Sequence, residues 1–443
     1  MSVQERIGGT RAGEISASVE AAIRAGGIAP GESLPPVRRL ADHLGVSPTT
    51  VAAAYRDLQT RGLVTAWGRR GTRVSPRPPV RHLAPAAIPP GARNLVDGNP
   101  DAAFLPDLGL ALARLLPARR LYGEPANDPE LLALAADLFA ADGISPDFLL
   151  VVGGALDGIE RTLAAHLRPG DRVAVEDPGY AAVFDLLLAL GLVPHPLAMD
   201  DRGVLRDELA AAVRDQVAAV IVTPRAQNPT GAALDEARAA DLRAVLAERP
   251  DVLVIEDDHA GPVAGAPART LCPRGEPTPD RWAVVRSFSK SLGPDLRLAL
   301  MAGDPVTISR VEGRQQLGAG WVSHVLQRLA LALWRDPEAQ RLMAAAEAAY
   351  TERRDALVAA LAAREMPATG RSGLNVWVPV PDEQAALRRL LEGGWAASAG
   401  ERFRLRSGPA VRLSIGRMSP GDAPAVAEAL AAPALRAART RTA

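Results

Sequence analysis

Apolar and polar positions along the first 75 residues predict three helices followed by a short hairpin. The first helix, residues 14–26, ends at two glycines and has an apolar stripe of Ile15, Val19, Ala22 and Ile23. The second begins at Pro36 and closes at Gly45, with an apolar face of Val37, Leu40 and Leu44. The third is capped by Ser47 and stops at Gly62, and we expect it to bury Val51, Ala54, Tyr55 and Leu58.

Two short apolar segments after the third helix, residues 63–67 and 72–74, predict the strands of a hairpin. They flank the sequence GRRG, a tight turn that carries Arg69 and Arg70. A helix, a tight turn, a second helix and a β-hairpin form a winged helix-turn-helix, in which the second helix enters the DNA major groove and the wing contacts the backbone or minor groove. The sequence therefore predicts a DNA-binding domain over residues 10–75.

From Asn94 onward the chain alternates helical segments with short β-branched runs. This pattern is typical of an α/β domain with a largely parallel, buried sheet. Polar residues gather at the ends of the runs, and ligands bind at that edge of such sheets. The runs are residues 149–154, 172–180, 218–224, 252–258, 282–290 and 296–303.

The charge of the chain is unevenly distributed. Residues 1–81 contain 12 arginines and 6 acidic residues, although the 443-residue chain as a whole has no net charge. A basic head on an acidic body indicates a nucleic-acid partner. Between the basic N-terminal part and the rest of the chain, residues 76–93 are rich in proline and lack apolar periodicity, which predicts an extended linker. Residues 94–443 then form the body domain.

Composition also excludes several classes of protein. No long uncharged apolar run and no apolar leader is present, so we expect a cytoplasmic protein with no membrane partner. The single cysteine, Cys272, excludes an internal disulfide and argues against a structural zinc site. No metal is expected.

Lysine usage is the most informative compositional feature. Of 51 basic residues, one is a lysine, Lys290, and 50 are arginines. Arginine replaces lysine well as a surface charge, but a guanidinium stays protonated and cannot form a stable imine with an aldehyde. The retained lysine therefore suggests amine chemistry, against the alternative that one surface lysine survived by chance.

The neighbours of Lys290 suggest which aldehyde this is. Ser287 and Ser289 precede it and Arg297 follows it, a set that suits a phosphate-bearing aldehyde such as pyridoxal 5′-phosphate. That cofactor also needs a carboxylate near its ring nitrogen, because the protonated ring is the strong electron sink. The strand end VLVIEDDH supplies Asp257, with Asp258 as the alternative.

Two family resemblances support these readings. LPPVRRLADHLGVSPTTVAAAYRDLQTRGLV resembles the GntR family of bacterial regulators. The resemblance implies that Arg38 holds a DNA phosphate, that three hydroxyls stand at the start of the recognition helix, and that two arginines lie in the wing. The corresponding residues are Ser47, Thr49, Thr50, Arg69 and Arg70. Val37 and Pro48 depart from the family pattern, so operator preference cannot be carried over.

Residues 94–443 resemble the fold-type I pyridoxal-phosphate enzymes of the aspartate aminotransferase superfamily, and their fusion to a winged helix resembles the MocR-type subfamily of GntR regulators. The motifs are LYGEPANDPEL, VVGGALDGIE, EDPGY, TPRAQNPTG, IEDDH, SFSKSLGPDLR and VRLSIGR. The resemblance implies an aminotransferase-like domain with a smaller C-terminal α+β subdomain, and usually a homodimer.

The resemblance also assigns roles to individual residues. Lys290 would form the internal aldimine and Asp257 would pair with the ring nitrogen. The phosphate would be held by Gly154 and Ala155 at a helix N-terminus, by Ser287, Ser289 and Arg297, and by Tyr122 from a second subunit. Tyr180 would stack on the ring, Asn228 would bind its phenolic oxygen, and Arg412 would bind the α-carboxylate of an amino-acid ligand.

Three positions depart from the aminotransferase pattern. His259 replaces a tyrosine that touches the phenolic oxygen; it can still donate a hydrogen bond, and we expect it to titrate near neutrality and make the aldimine pH-sensitive. Leu156 replaces a glutamine. The segment after Tyr180 lacks the second carboxylate-binding arginine of some relatives, so the ligand cannot be carried over.

The function we expect is a pyridoxal-phosphate-dependent transcriptional regulator that binds a double-stranded DNA operator and senses an amine, an amino acid or the cofactor itself at Lys290. The first alternative is a catalytic aminotransferase with an autoregulatory DNA-binding head, since the residues of the half-reaction are present. The second is a regulator whose cofactor is purely structural. The fused winged helix favours regulation, because an enzyme has no evident use for it.

Overall fold

The computed structural model describes residues 3–60, 62–66, 71–75, 88–115, 120–275 and 278–431. In the N-terminal unit, three helices pack beside a two-stranded antiparallel sheet in which Val64 pairs with Val74. The elements are α1 (Ala12–Arg24), α2 (Val37–Leu44), α3 (Pro48–Thr60), β1 (Val64–Ala66) and β2 (Thr72–Val74). All four residues predicted for the inner face of α3 are buried: Val51, Ala54, Tyr55 and Leu58.

Local signals set the turns of this unit. Gly45 ends α2 with φ of 66°, a left-handed conformation that glycine adopts without steric cost. The Tyr55 hydroxyl donates a 2.8 Å hydrogen bond to the Pro35 carbonyl and so fastens α3 to the segment before α2. Arg69 and Arg70 lie outside the described residues.

The body contains an eight-stranded sheet with the order β4-β11-β10-β9-β8-β5-β6-β7. β8, β9 and β10 run parallel, whereas β11 is antiparallel to both β10 and β4. The strands are β4 (Leu149–Val152), β5 (Arg172–Asp177), β6 (Val193–Asp200), β7 (Gly203–Val204), β8 (Ala219–Val222), β9 (Leu253–Asp258), β10 (Trp282–Ser287) and β11 (Ala299–Gly303). Each of the six predicted runs contains one of these strands, and β6 and β7 were not predicted.

Helices connect the strands of this sheet and continue beyond it. They are α4 (Leu108–Arg114), α5 (Pro129–Ala141), α6 (Ala155–His166), α7 (Ala181–Ala189), α8 (Arg206–Arg214), α9 (Glu236–Ala247), α10 (Pro305–Leu317), α11 (His324–Arg335) and the 26-residue α12 (Pro337–Ala362). The strands β8, β9 and β10 are buried along their whole length, which explains their unbroken apolar runs. None of the helices in the described part of the chain is long and apolar enough to cross a membrane.

A second, four-stranded sheet forms the smaller subdomain, with the order β12-β14-β13-β3. Its members are β3 (Arg93–Leu95), β12 (Asn375–Pro379), β13 (Trp395–Ala399) and β14 (Ala410–Ser414), accompanied by α13 (Glu383–Glu392) and α14 (Ala423–Ala431). β3 pairs parallel with β13, so Arg93, predicted as the last residue of the linker, is the first residue of a strand. The α+β subdomain is therefore completed by the segment that opens the body.

Candidate cofactor site

A cavity of about 320 Å³ lies where β9 and β10 end, beside the N-terminus of α6. The chain forms this cavity because parallel strands bring their polar carboxyl-terminal residues to one edge of the sheet. Most of the residues predicted for the cofactor site meet here. The lining residues are Gly98, Asn99, Ala155, Leu156, Tyr180, Thr223, Asn228, Asp257, His259, Ser287, Ser289, Lys290, Pro294, Arg297, Leu374, Asn375 and Arg412.

Lys290 is half-buried at the end of β10, and its Nζ donates a 2.5 Å hydrogen bond to the Gly98 carbonyl. Burial, followed by the charge of the nearby Arg412 guanidinium, lowers the pKa of the Lys290 amine to about 8 against the opposing effect of Asp97. An amine with this pKa is unprotonated in roughly one molecule in ten at pH 7, far more often than an ordinary lysine. It therefore can act as a nucleophile towards a carbonyl, as the sequence suggested.

Asp257 and Asp258 are neighbours on β9 but have opposite environments. The Asp258 carboxylate forms ion pairs with Arg225 (2.8 Å) and Arg286 (2.7 Å), which hold its pKa well below its usual range. Asp257 lines the cavity, and its buried Oδ1 has no hydrogen-bond partner among the residues that the structure describes. Burial, followed by repulsion from Asp258 and Glu176, raises the pKa of Asp257 to about 7. The geometry thus favours Asp257 over Asp258 as the carboxyl group that can pair with a cationic group of a ligand.

Small and hydroxylated residues form a cradle at the other end of the cavity. Ser287 and Ser289 place their hydroxyl oxygens 2.7 Å apart, and the Ser289 backbone N–H donates to the Ser287 hydroxyl. Gly154 precedes α6, and a Cβ there would lie 3.0 Å from Nη2 of Arg297. Arg297 itself has φ of 44°, an uncommon conformation for a side-chain-bearing residue and one often kept at functional sites. A helix N-terminus, hydroxyls and a guanidinium together suit a phosphate group.

Arg412 lies on β14 and also lines the cavity. It is buried, donates a 3.0 Å hydrogen bond to Oδ1 of Asn228 and also contacts the Val96 carbonyl. The Phe403 ring lies 4.5 Å from its guanidinium. Burial lowers the pKa of Arg412 to about 10, so the guanidinium stays charged near neutrality. Tyr180 lines the same cavity. The resemblance assigned Asn228 and Arg412 to different groups of the ligand, but in this structure a hydrogen bond joins the two side chains.

One predicted residue, His259, differs from expectation. His259 lines the cavity and its Nε2 lies 2.8 Å from the Ala226 carbonyl, but burial and the Lys290 charge lower its pKa to about 4. The expectation that it titrates near neutrality is wrong, because burial of the ring disfavours the imidazolium. Tyr122 is not among the residues that line the cavity. It is 92% exposed, with its ring edge against Trp321.

Some lining residues were not predicted. Thr223 and Asn375 face the cavity from strand ends, and Gly98 and Asn99 come from the segment after β3. Thr223 opens the TPRAQNPTG motif and Gly98 belongs to the sequence DGNP, so both lay within recognisable sequence signals. Asn375 carried no signal, because a single asparagine in an apolar strand has no distinctive pattern.

The surface of the N-terminal unit holds the predicted DNA-contacting residues that the structure describes. Arg38 is exposed on α2. At the start of α3, the Ser47 hydroxyl caps the helix by accepting from the Thr50 backbone N–H (3.1 Å) and lies 2.7 Å from the Thr49 hydroxyl. These hydroxyls stand at a helix N-terminus, where backbone N–H groups also favour an anion.

Comparison with known families agrees with both parts of the chain. Residues 11–74 match the model of the bacterial regulatory proteins of the gntR family, and residues 94–430 match that of the class I and II aminotransferases. The chain belongs to the MocR-type subfamily of GntR regulators. GntR regulators bind DNA. Membership of the class I and II aminotransferases gives this MocR-type chain its cofactor, pyridoxal 5′-phosphate.

Relatives of this MocR-type chain include transcriptional regulators. It is 40% identical to the vitamin B6 salvage pathway transcriptional repressor PtsJ of Salmonella typhimurium, over 90% of this chain and 92% of PtsJ. It is 30% identical to the probable rhizopine catabolism regulatory protein MocR of Rhizobium meliloti, over 65% and 64%. Among solved structures, kynurenine aminotransferase of Pyrococcus horikoshii superimposes with a TM-score of 0.69 over 77% of this chain and 90% of that enzyme, at 23% identity. That likeness concerns the fold.

The residues of the cavity fit pyridoxal 5′-phosphate. The unpartnered Asp257 Oδ1 meets the need of a ring nitrogen for a carboxylate, and the Ser287, Ser289 and Arg297 cradle meets that of a phosphate. When bound, the cofactor supplies an aldehyde and an electron-withdrawing ring. The MocR-type chain itself supplies an amine of lowered pKa, a buried carboxyl group and a buried guanidinium.

Proposed function

We propose that this chain is a pyridoxal-phosphate-dependent transcriptional regulator that senses an amine, an amino acid or the cofactor itself. Its domains would be the winged helix-turn-helix over residues 10–75, the linker over residues 76–93 and the effector domain over residues 94–443. Lys290 would hold the cofactor covalently through Nζ. A chain that recognises a chromosomal operator acts in the cytoplasm of a bacterium, and this is the location we propose.

One observation carries the sensing function. Lys290 and Arg412, the two residues that would hold the ligand, both donate hydrogen bonds to the backbone just after β3: Lys290 to the Gly98 carbonyl and Arg412 to the Val96 carbonyl. A covalent bond at Lys290 or a carboxylate at Arg412 competes with these contacts. Since only the short strand β3 separates this segment from the linker along the chain, ligand binding would act close to the end of the linker.

The other cavity residues have the roles that their positions support. Asp257 would face the ring nitrogen, Tyr180 the ring, and Asn228 and His259 the phenolic oxygen. The phosphate would lie against Gly154, Ala155, Ser287, Ser289 and Arg297. Arg412 would take a carboxylate in exchange for its bond to Asn228 (3.0 Å).

The complete regulator would be a homodimer on a double-stranded DNA operator. Exposed Tyr122 would reach the phosphate of the partner subunit, which fits its absence from the cavity of its own chain. Arg38, Ser47, Thr49 and Thr50 would contact DNA from α2 and α3, and Arg69 and Arg70 from the wing. Two heads on one dimer would recognise two half-sites.

Catalytic transamination is the second candidate function. The observation in its favour is the lowered pKa of the Lys290 amine, about 8, which suits a group that exchanges a proton near neutrality. The fused DNA-binding unit favours regulation. Product analysis separates the two, since a transaminase converts an added amino acid and a keto acid in multiple turnovers.

The covalent site is tested by the absorbance spectrum of the purified protein loaded with cofactor. We expect a band near about 420 nm that borohydride abolishes and that Lys290→Ala lacks. Lys290→Arg is the matched control, because it keeps the positive charge and cannot form the bond. A band in Lys290→Ala equal to that of the wild type would refute the assignment. If no amine changes the band, the cofactor has a purely structural role.

A further inference from the structure

We propose that Asn375 is a further ligand-binding residue, whose side-chain amide donates a hydrogen bond to the carboxylate that Arg412 binds. The effector is then an amine that carries a carboxylate, rather than a simple amine or the cofactor alone. This inference rests on the proposed sensing function and specifies its ligand.

Asn375 and Arg412 lie on the same face of the smaller sheet. β12 and β14 are antiparallel neighbours, in which Asn375 pairs with Ser414 and Trp377 pairs with Arg412. Because side chains alternate between the two faces of a strand, residues two positions apart lie on the same face. Both Asn375 and Arg412 line the cavity. Two adjacent strands of the smaller sheet therefore bring two hydrogen-bond donors to one cavity.

The amide of Asn375 is buried and is oriented by its neighbour on β14. The Ser414 hydroxyl donates a 2.9 Å hydrogen bond to Oδ1 of Asn375. Only 4% of Asn375 and 2% of Ser414 are exposed. Nδ2 is the donor that remains on this amide, and within the described residues it has no hydrogen-bond partner. A buried donor without a partner is unfavourable, so a ligand oxygen that accepts from Nδ2 gains the full benefit of the bond.

The backbone of Asn375 is fixed against the turn that carries Asn228. The Gly231 carbonyl accepts a 2.8 Å hydrogen bond from the backbone N–H of Ser372. A Cβ at Gly231 would lie 2.5 Å from the Asn375 carbonyl oxygen, so the two segments approach closely. Asn228, in the same turn, is the residue bonded to Arg412 at 3.0 Å. These contacts fix the amide before a ligand binds, which lowers the entropic cost of binding.

The contacts of Arg412 explain why a second donor is needed. Nη2 of Arg412 already donates to the Val96 carbonyl and lies 3.4 Å from the Ser398 hydroxyl. Exchange of the Asn228 bond makes Nη1 available to one oxygen of a carboxylate. The other oxygen needs another donor. The Asn375 amide, on the neighbouring strand and in the same cavity, supplies it.

The cofactor itself does not require this donor. In the proposed arrangement its ring nitrogen faces Asp257, its phenolic oxygen faces Asn228 and His259, and its phosphate lies in the cradle beside α6. These groups belong to the larger sheet and its connections, whereas Asn375 belongs to the smaller sheet with Arg412. The amide is therefore left for the effector.

The test measures the preference for a carboxylate by titrating the change in cofactor absorbance of the loaded, full-length protein. The ligand pairs are L-alanine against ethylamine and L-phenylalanine against 2-phenylethylamine, which differ only in the carboxylate. We expect the wild type to bind the amino acid of at least one pair at least about tenfold more tightly than its amine. Asn375→Asp, in which an oxygen replaces the donating nitrogen, should lose this preference and keep its affinity for the amine within about threefold.

Gln384→Ala is the matched control, because it removes an exposed amide from α13 of the same subdomain, and it should keep the wild-type preference. Asn375→Ala is the second variant, which should also lose the preference and which decides the matter if Asn375→Asp does not fold.

Three results would overturn the role of Asn375 while leaving the sensing function intact. They are equal affinities of the wild type for both members of each pair, an unchanged preference in the Asn375 variants, and weaker cofactor binding in those variants with the preference retained. The last result would assign the amide to the cofactor. If neither an amine nor an amino acid changes the wild-type spectrum, amine sensing fails and the role of Asn375 fails with it.

Discussion

At the scale of single residues, burial determines the chemistry of the site. Lys290, Asp257 and His259 all have pKa values displaced towards their neutral forms, because each is removed from water. An amine and a carboxyl group that are both partly neutral near pH 7 can each exchange a proton with a bound ligand. Asp258 does not share this effect, because its ion pairs with Arg225 and Arg286 keep it ionised.

Replacing Asp257 with asparagine should weaken cofactor binding. The carboxylate loses its charge, so the cationic ring nitrogen loses a charge-assisted hydrogen bond, and we expect the dissociation constant to rise at least about tenfold. Titration of the apoprotein with pyridoxal 5′-phosphate, followed by absorbance, measures this. The control is Asp241→Asn on the exposed side of α9, which should bind normally. An unchanged dissociation constant for Asp257→Asn would exclude the assigned pairing.

A second residue-scale prediction concerns stability against pH. Burial raises the pKa of Glu256 to about 7, while the unfolded chain has the ordinary value near 4.5. The unfolded state therefore releases a proton that the folded state retains, and stability falls as the pH rises from about 4.5 through 7, by at most about 1.4 kcal/mol per pH unit for one proton.

Glu256→Gln should make unfolding less sensitive to pH in this window, because the amide is neutral throughout and can still accept from the Leu271 N–H. Chemical denaturation of the apoprotein at several pH values between 5 and 8 measures the slope. Glu248→Gln at an exposed position is the control. A slope equal to that of the wild type would show that Glu256 is already ionised in the folded protein.

At the scale of elements, glycine and capping signals define the helices of the DNA-binding unit. Gly45→Ala should destabilise α2 by about 1 kcal/mol, since a Cβ at φ of 66° is disfavoured although no neighbouring atom lies within 4 Å. Gly13→Ala is the control: it lies within α1, has equally open space and should be neutral or stabilising. Hydrogen exchange of peptides from α1 and α2 measures both effects. The conformational explanation would be contradicted if Gly13→Ala exchanged faster than the wild type, or if Gly45→Ala exchanged no faster than the wild type.

The elements also show what sequence could predict. The helices α2 and α3 followed directly from apolar spacing between a proline or serine and a glycine, because local signals suffice there. β3 could not be predicted, since Arg93, Asn94 and Leu95 have no strand pattern and become a strand by pairing with β13. The antiparallel direction of β11 could not be predicted either, because it depends on how the chain between β10 and β11 runs in space.

The candidate site divides in the same way. Lys290, Ser287 and Asp257 could be found because their motifs mark strand ends. The bonds that join Lys290 and Arg412 to the segment after β3 span about 200 to 300 positions in sequence. Lys290 and Ala226, which influence the pKa of His259, each lie about 30 positions from it. Such long-range contacts leave no local pattern, and therefore only the structure reveals them.

At the scale of the whole molecule, DNA affinity should depend on salt through named arginines. Arg38→Ala should weaken binding to all DNA sequences similarly and reduce the slope of log affinity against log salt by about one, as expected for one lost phosphate contact. Arg341→Ala on α12, exposed and far along the chain from the DNA-binding unit, should leave the slope unchanged. An unaltered slope for Arg38→Ala would exclude its phosphate contact.

The central claim is that the ligand at Lys290 controls DNA binding, and fluorescence anisotropy tests it most directly. The labelled DNA comes from the region upstream of the protein's own gene, and the titration is run at low salt with and without cofactor and amine. We expect the wild type to bind this DNA with an affinity that changes at least about fivefold on ligand addition, and Lys290→Ala to bind with no such change. Absence of binding under every condition, or an equal ligand response in Lys290→Ala, would contradict the account.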